Sequence, residues 1–226
     1  MQKYSLIDYP RLISSVVFTA GCNFHCPYCH NPELASPGKN SPGLDREEVY
    51  AFLSKRKDFL DAVVISGGEP TLYPDLPDFC EQIRSLGFCL KIDTNGSRPD
   101  VIKNIIDRGL VDYIAMDIKT DPETYTPLIT DKVIAPAIRE TADIILSSGL
   151  FNEFRTTCVK PFTCEATIRA IAELIRGADL HAIQRPRTDS VLSPEFFEHA
   201  QRLHTEEELS SFRSILAKNV KQVIIR

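Results

Sequence analysis

No apolar run in this 226-residue sequence approaches the ~20 residues that a membrane-spanning helix needs, so no membrane partner is expected. The opening residues, Met1-Gln2-Lys3-Tyr4-Ser5-Leu6-Ile7-Asp8, lack the long apolar stretch of a secretory signal, and a cytoplasmic location is expected. A long basic block is also missing and the formal net charge is −5, so nucleic acid is not an expected partner. Without an internal repeat, low-complexity tract or linker, residues 1–226 are expected to form one domain. Seven cysteines is an odd number, and three of them crowd into one short loop. That usage argues against a secreted disulfide framework. Hydrophobic residues make up 43% and charged residues 25%, a composition with which a chain of this length builds a real core.

What is present is an alternation of short β-branched runs and amphipathic stretches. Strands are expected at 15–19, 62–66, 89–94, 113–117, 154–159 and 182–184, with a last one near 222–225. Helices are expected at 45–59, 76–86, 99–108, 134–147, 164–174 and 205–216. Asp45, with Glu48 three residues on, and Thr163 have the character of N-caps. Gly87, Gly109, Gly149 and Gly177 follow helices, where a left-handed residue ends the turn. The Pro/Gly stretch 36–43 reads as a loop. Strands alternating with helices imply βα units and a mainly parallel sheet. About six units fit an α/β fold of the partial (β/α)6 TIM-like barrel type, since a full eight-unit barrel usually takes ~250 residues. The core would span about 14–187, followed by a C-terminal extension of about 188–226 whose Phe196, Phe197 and Phe212 serve packing. The unusual residues collect at strand ends: the cysteine loop, Gly67-Gly68-Glu69-Pro70, Asp93-Thr94-Asn95-Gly96, Asp117-Ile118-Lys119, Arg155-Thr156-Thr157 and Gln184-Arg185. In a parallel barrel these ends form one rim, where active sites are built.

Cys22, Cys26 and Cys29 are spaced C-x3-C-x2-C. A closed zinc site takes four ligands, for which His25 or His30 would be the fourth. That reading leaves the other rim motifs unexplained, and both histidines are read as polar loop residues. A 4Fe–4S cluster has four irons and usually four thiolates. Three thiolates hold three irons and leave the fourth open to a substrate or cofactor. Cys80 and Cys89 lie in apolar contexts and are read as core. Cys158 and Cys164 have no clustered ligands beside them and are not expected to form a second metal site.

The cysteine spacing after the first strand, with Tyr28 before the third cysteine, resembles the radical S-adenosylmethionine (SAM) superfamily. The resemblance implies a barrel of that superfamily's type and a 4Fe–4S cluster on Cys22, Cys26 and Cys29. It implies SAM bound to the open iron through its amino and carboxylate groups, and reductive cleavage to a 5′-deoxyadenosyl radical. Gly67-Gly68-Glu69-Pro70 matches the superfamily's GGEP element, whose glycines admit close backbone approach and whose carbonyl and Glu69 would accept from the SAM ammonium. Asp93-Thr94-Asn95-Gly96 is a turn by its Asn-Gly. Within the resemblance Asp93 accepts from ribose hydroxyls or helps bind a cation. Asp117 and Lys119 fall on one strand face. Lys119 would neutralise the SAM carboxylate, and Asp117 would hold Lys119 or a monovalent cation near Asp93 and Asp117.

Asp93-Thr94-Asn95-Gly96 together with Met116-Asp117-Ile118-Lys119 is similar to the glycyl-radical-enzyme activating enzymes. Ser5-Leu6-Ile7-Asp8-Tyr9-Pro10 and Cys26-Pro27-Tyr28-Cys29-His30-Asn31-Pro32-Glu33 look like the anaerobic ribonucleoside-triphosphate reductase activating proteins among them. This likeness implies catalytic roles for Cys22, Cys26, Cys29, Lys119 and Asp8, the last facing the incoming substrate loop. It implies that Tyr28 lies by the adenine and that Gly67, Gly68, Glu69, Asp93, Asn95, Asp117, Lys119, Arg155 and Gln184 line the SAM site. Arg11 stands where the family often has glycine. No cysteine lies between Cys29 and Gly67, so the second ferredoxin-like cluster domain of some activating enzymes is not expected. The implied partners are a glycyl radical enzyme, foremost anaerobic ribonucleoside-triphosphate reductase, and flavodoxin or ferredoxin as electron donor. The rival is a radical SAM enzyme acting on a small molecule or peptide.

Overall fold

The computed structural model describes residues 1–38, 43–198 and 201–226. They build one eight-stranded sheet whose spatial order follows the chain: β1 (Gln2–Ser5), β2 (Ser14–Thr19), β3 (Ala62–Gly67), β4 (Cys89–Thr94), β5 (Tyr113–Asp117), β6 (Phe151–Thr157), β7 (Leu180–Gln184) and β8 (Gln222–Ile225). β1 is antiparallel to β2, and every pair from β2 to β8 is parallel. The parallel strands are joined through α1 (Pro32–Ala35) with α2 (Arg46–Ser54), then α3 (Leu76–Ser85), α4 (Pro99–Asp107), α5 (Ala135–Ser147) and α6 (Glu165–Leu174), and finally α7 (Glu195–Glu198) with α8 (Glu206–Leu216). Six helical crossovers between parallel strands give the α/β partial TIM-like barrel that the alternation implies. Among the described residues no helix is long and apolar enough to cross a membrane.

Period-two alternation sorts the strand residues. Val63, Ile65, Leu90, Ile92, Ile114, Met116 and Phe154 are buried against the helices, where Leu53, Ile83, Ile102, Ile105, Ile138 and Ile168 complete the core. Their neighbours Ser66, Lys91, Asp93, Asp117, Glu153 and Arg155 therefore face the concave side. An ion pair from Arg155 on β6 to Asp93 on β4, reaching across β5, requires that face. A one-residue slip of register would exchange the two sets and bury the charges under the helices.

Several boundaries differ from expectation. β1 has no counterpart in the sequence reading, because it is a short edge strand with three of its four residues exposed. β6 starts at Phe151 rather than 154, set by its pairing with Tyr113, and ends at Thr157. β7 starts at Leu180 rather than 182, opposite Glu153. α2 stops at Ser54, short of 59. Thr163 is not a helix cap: Cys164 holds that position, and the Thr163 hydroxyl donates to the Val159 carbonyl. Asp45 does cap α2, its N–H donating to Glu48 Oε2 at 3.1 Å. Gly87, Gly109, Gly149 and Gly177 all have positive φ after their helices. In the expected 36–43 loop, residues 39–42 lie outside the described residues. The C-terminal segment supplies α8 and β8 to the same sheet, with Leu209, Phe212 and Leu216 buried. Phe196 and Phe197 pack partly buried against the core.

His181 on β7 is fully buried, with Nε2 3.2 Å from the Thr156 hydroxyl and Nδ1 unpartnered among the described residues. Burial depresses its pKa from 6.5 to about 3. The unfolded chain takes up this proton from pH 6.5 downward and the folded chain does not. The resulting stability is full above that pH and is lost as pH falls toward 3. Urea unfolding should show this loss with a slope approaching ~1.4 kcal/mol per pH unit, absent in His181→Gln. An unchanged slope in that variant would contradict the assignment.

Candidate active site at the barrel rim

The cysteine loop leaves the end of β2 and is held on several sides. Gly21 N–H donates to Leu34 O at 2.7 Å, Cys22 N–H to Ala35 O at 3.1 Å, and His25 N–H to Ile129 O at 2.9 Å. From the far end of the chain, Leu192 and Ser193 N–H groups donate to Cys29 O at 2.9 Å and Pro27 O at 3.0 Å. Cys22 and Cys29 are half-buried, Cys26 is buried, and all three are free thiols. Burial raises the Cys22 thiol and pushes that of Cys26 up to about 12. Backbone N–H of Phe24 approaches Cys22 Sγ at 3.4 Å, and Asn95 Nδ2 lies 3.9 Å from it. Among the described residues no three His, Cys, Asp or Glu side chains converge tightly enough for a single metal ion. Three free thiols on one loop, with N–H donors toward a sulfur, fit an iron–sulfur cluster bound through three thiolates. His25 Nε2 is spent on Pro127 O and His30 contacts Asn31, as expected of loop residues.

Gly67 and Gly68 are needed for backbone contact. Gly67 has φ +119, and a Cβ there would sit 2.3 Å from Thr19 O; one on Gly68 would sit 2.0 Å from Gly21 O. Hydrogen bonds from Gly68 N–H to Thr19 O and from Glu69 N–H to Gly21 O, both 2.9 Å, close this seam. Glu69, expected to accept from an ammonium, has another task. It is fully buried: Oε1 accepts from Thr71 N–H (3.1 Å), Thr71 Oγ1 (2.5 Å) and Thr94 Oγ1 (2.8 Å), and Oε2 accepts from Asn95 N–H at 2.6 Å. Burial raises its pKa, and these donors oppose the shift. Its oxygens are engaged inside the protein, and the carboxylate joins the Gly67–Pro70 segment to the Asp93–Gly96 turn. Asn95 continues the linkage, its Nδ2 donating to Asn23 Oδ1 at 2.9 Å. The three motifs form one hydrogen-bonded body.

Beside it runs an ion-pair array. Lys119 Nζ meets Asp117 Oδ2 at 2.9 Å, and Arg155 Nε meets Asp117 Oδ1 at 2.6 Å. Arg155 also reaches Asp93 Oδ2 at 3.1 Å, where Ser66 Oγ donates at 2.9 Å, and Lys91 Nζ lies 3.2 Å from Asp93 Oδ1. Burial would raise both carboxylates, but Arg155 with Lys119 drives Asp117 well below the usual range, and Arg155 with Lys91 lowers Asp93. Of the alternatives for Asp117, holding Lys119 is the one seen. All four carboxylate oxygens face cationic side chains. Gln184 Oε1 accepts weakly from Thr157 Oγ1 at 3.4 Å on the same rim.

Two expected residues lie elsewhere. Tyr28 is turned into the core, its ring 5.5 Å from that of Phe162, because apolar burial is available there and not at the open rim. Asp8 is not on the rim. Its carbonyl accepts from Lys91 Nζ at 2.7 Å, its side chain accepts from Ser5 Oγ, and the next ring, Tyr9, packs on Tyr113 at the start of β5. Asp8 thus stands toward the N-terminal end of the barrel. Arg11 has φ +67, a left-handed position natural to glycine. The sequence reading also missed Lys91, Ser66, Asn23 and the Leu192–Ser193 contact. Lys91 alone had a signal, a cation two residues before Asp93 in an apolar strand.

The family model described as "Radical SAM superfamily" matches residues 16–175. A Methanocaldococcus jannaschii protein described as a "putative glycyl-radical enzyme activating enzyme" is 36% identical over 98% of this chain and 92% of its own length. The pyruvate formate-lyase-activating enzyme of Listeria monocytogenes is 36% identical over 58% of this chain and 56% of itself. The structure of Streptococcus suis SuiB bound to S-adenosylmethionine superposes with a TM-score of 0.72 at 13% identity, covering 94% of this chain and 50% of that one. The chain thus spans nearly all of the Methanocaldococcus relative but only about half of the other two chains.

Proposed function

Because this chain belongs to the radical SAM superfamily, we propose that it is the activating enzyme of a glycyl radical enzyme, with anaerobic ribonucleoside-triphosphate reductase as the partner. Superfamily membership brings a 4Fe–4S cluster and SAM. When bound and reduced, by flavodoxin or ferredoxin in this proposal, they supply a 5′-deoxyadenosyl radical that takes a hydrogen atom from a glycine Cα of the partner.

The chain's own residues do the rest. Cys22, Cys26 and Cys29 would hold the cluster. Lys119, kept in place by Asp117, and Arg155 present positive charge to the SAM carboxylate. Backbone carbonyls at the Gly67–Gly68 bend accept from its amino group, while Glu69 and Asn95 keep that bend against the cysteine loop. Asp93 and Gln184 lie toward the ribose. Tyr28 acts through packing beneath the cysteine loop, against Phe162. Asp8, whose carbonyl is held by Lys91, would meet the substrate loop. Residues 1–226 act as one catalytic unit, since β8 extends the same sheet and α8 is buried against the same core.

The near-full-length likeness to the Methanocaldococcus relative supports the glycyl radical part of this reading, and the Ser5–Pro10 and Cys26–Glu33 motifs support the reductase as partner. Anaerobic incubation of the reconstituted protein with SAM, a reductant and candidate reductases tests it. A glycyl radical EPR doublet on the reductase is the expected result. Formation of 5′-deoxyadenosine with no radical on any candidate would instead favour a small-molecule or peptide substrate.

A further inference from the structure

Lys91 is a lysine in a core strand, flanked by the fully buried Leu90 and Ile92, with its side chain only 4% exposed. A buried ammonium is retained only where its surroundings replace water. Here Nζ lies 3.2 Å from Asp93 Oδ1, donates to the Asp8 carbonyl at 2.7 Å, and sits 4.9 Å from the centroid of the Tyr113 ring. A carboxylate oxygen, a backbone carbonyl and an aromatic face are the surroundings a monovalent metal ion would take. Asp93 Oδ1 is itself buried and makes no hydrogen bond, so the charge contact with Lys91 is what compensates it.

We propose that the Lys91 ammonium occupies the place of a monovalent cation beside Asp93, making SAM binding by this chain independent of K+ and Na+. The inference rests on the reading of Asp93, Arg155, Asp117 and Lys119 as part of the SAM site. Charge balance points the same way. Lys91, Arg155 and Lys119 face the two carboxylates of Asp93 and Asp117, while Glu153 on the same face is paired with Arg226, so one positive charge is already in excess beside Asp93 and Asp117. A further metal ion would leave that charge uncompensated in a buried place. The same ammonium ties the Asp8 turn to the array, which a diffusible ion would do only while bound.

The test is the SAM dissociation constant of the reconstituted holoprotein, by equilibrium dialysis, in potassium chloride against tetramethylammonium chloride at equal ionic strength. The wild-type constant is expected to differ by less than about threefold between the salts. A larger tightening in potassium overturns the inference while leaving SAM binding, and so the proposed function, intact. Absence of SAM binding in both salts overturns both. Lys91→Met keeps the apolar stem and bares Asp93. This variant is expected to bind SAM about tenfold more tightly in potassium than in tetramethylammonium. Its iron-free form should melt at a higher temperature in potassium, because a cation that binds only the folded state stabilises it. A variant indifferent to potassium in both measurements overturns the inference. If Lys91→Met does not fold, the wild-type comparison still decides.

Discussion

Cys26→Ala is expected to lose SAM cleavage to background, a fall of ~10³-fold or more, while the iron-free protein stays folded. The two halves of this expectation have different causes. Removing one buried sulfur leaves a small void, costing about 1 kcal/mol on the scale of core truncations. Packing by Phe24 and Tyr28 and the backbone bonds of Gly21, Cys22 and His25 still hold the loop. For the cluster the loss is not graded, since two thiolates cannot hold three irons. Iron content after anaerobic reconstitution, 5′-deoxyadenosine release and the melting temperature of the iron-free form separate the two effects. Retained cleavage would refute the assignment of Cys22, Cys26 and Cys29 to the cluster.

Gly68→Ala should be nearly as damaging although no side chain with chemistry is touched. The new Cβ would stand 2.0 Å from Gly21 O and 2.6 Å from Gly21 C, both backbone atoms with no flexible end to yield. Relief requires the end of β3 to move away from the cysteine loop, breaking the Glu69 N–H to Gly21 O bond. Overpacking of this kind costs about 1–3 kcal/mol, a fall of roughly 2–12 °C in melting temperature. Because the loop and the Gly67–Glu69 bend would no longer share one frame, cleavage should drop by ~10²-fold or more, the usual cost of a misplacement near 1 Å. Gly43→Ala is the control, since among the described residues a Cβ there meets nothing within 4 Å. Wild-type iron retention and cleavage in Gly68→Ala would mean that the close approach is dispensable.

Much of the site was legible because its chemistry is written in local order. The cysteine spacing, the paired glycines and the Asp-x-Lys step each set a constraint within a few residues, and each falls at a strand end that β-branched composition marks. What was not legible came from contacts between distant segments. Glu69 looks like a ligand acceptor until Thr71, Thr94 and Asn95 are seen to occupy it. Asp8 is expected to face a substrate loop, and its place in the barrel shows only where Lys91 holds its carbonyl. Tyr28 looks like an adenine contact until Phe162 covers it, itself stacked on Phe196 of the C-terminal segment.

By itself the sequence determined the parallel α/β class, the superfamily resemblance and the cysteines in question, because periodicity, turn residues and ligand spacing act over short stretches of chain. Only the tertiary structure decided that Arg155 bridges Asp93 and Asp117, that Lys91 pairs with Asp93, and that residues 192–193 brace the cysteine loop. Those outcomes depend on the register of β4, β5 and β6 and on how far the sheet curves. Both are set by the packing of the whole core, and no local spacing encodes them.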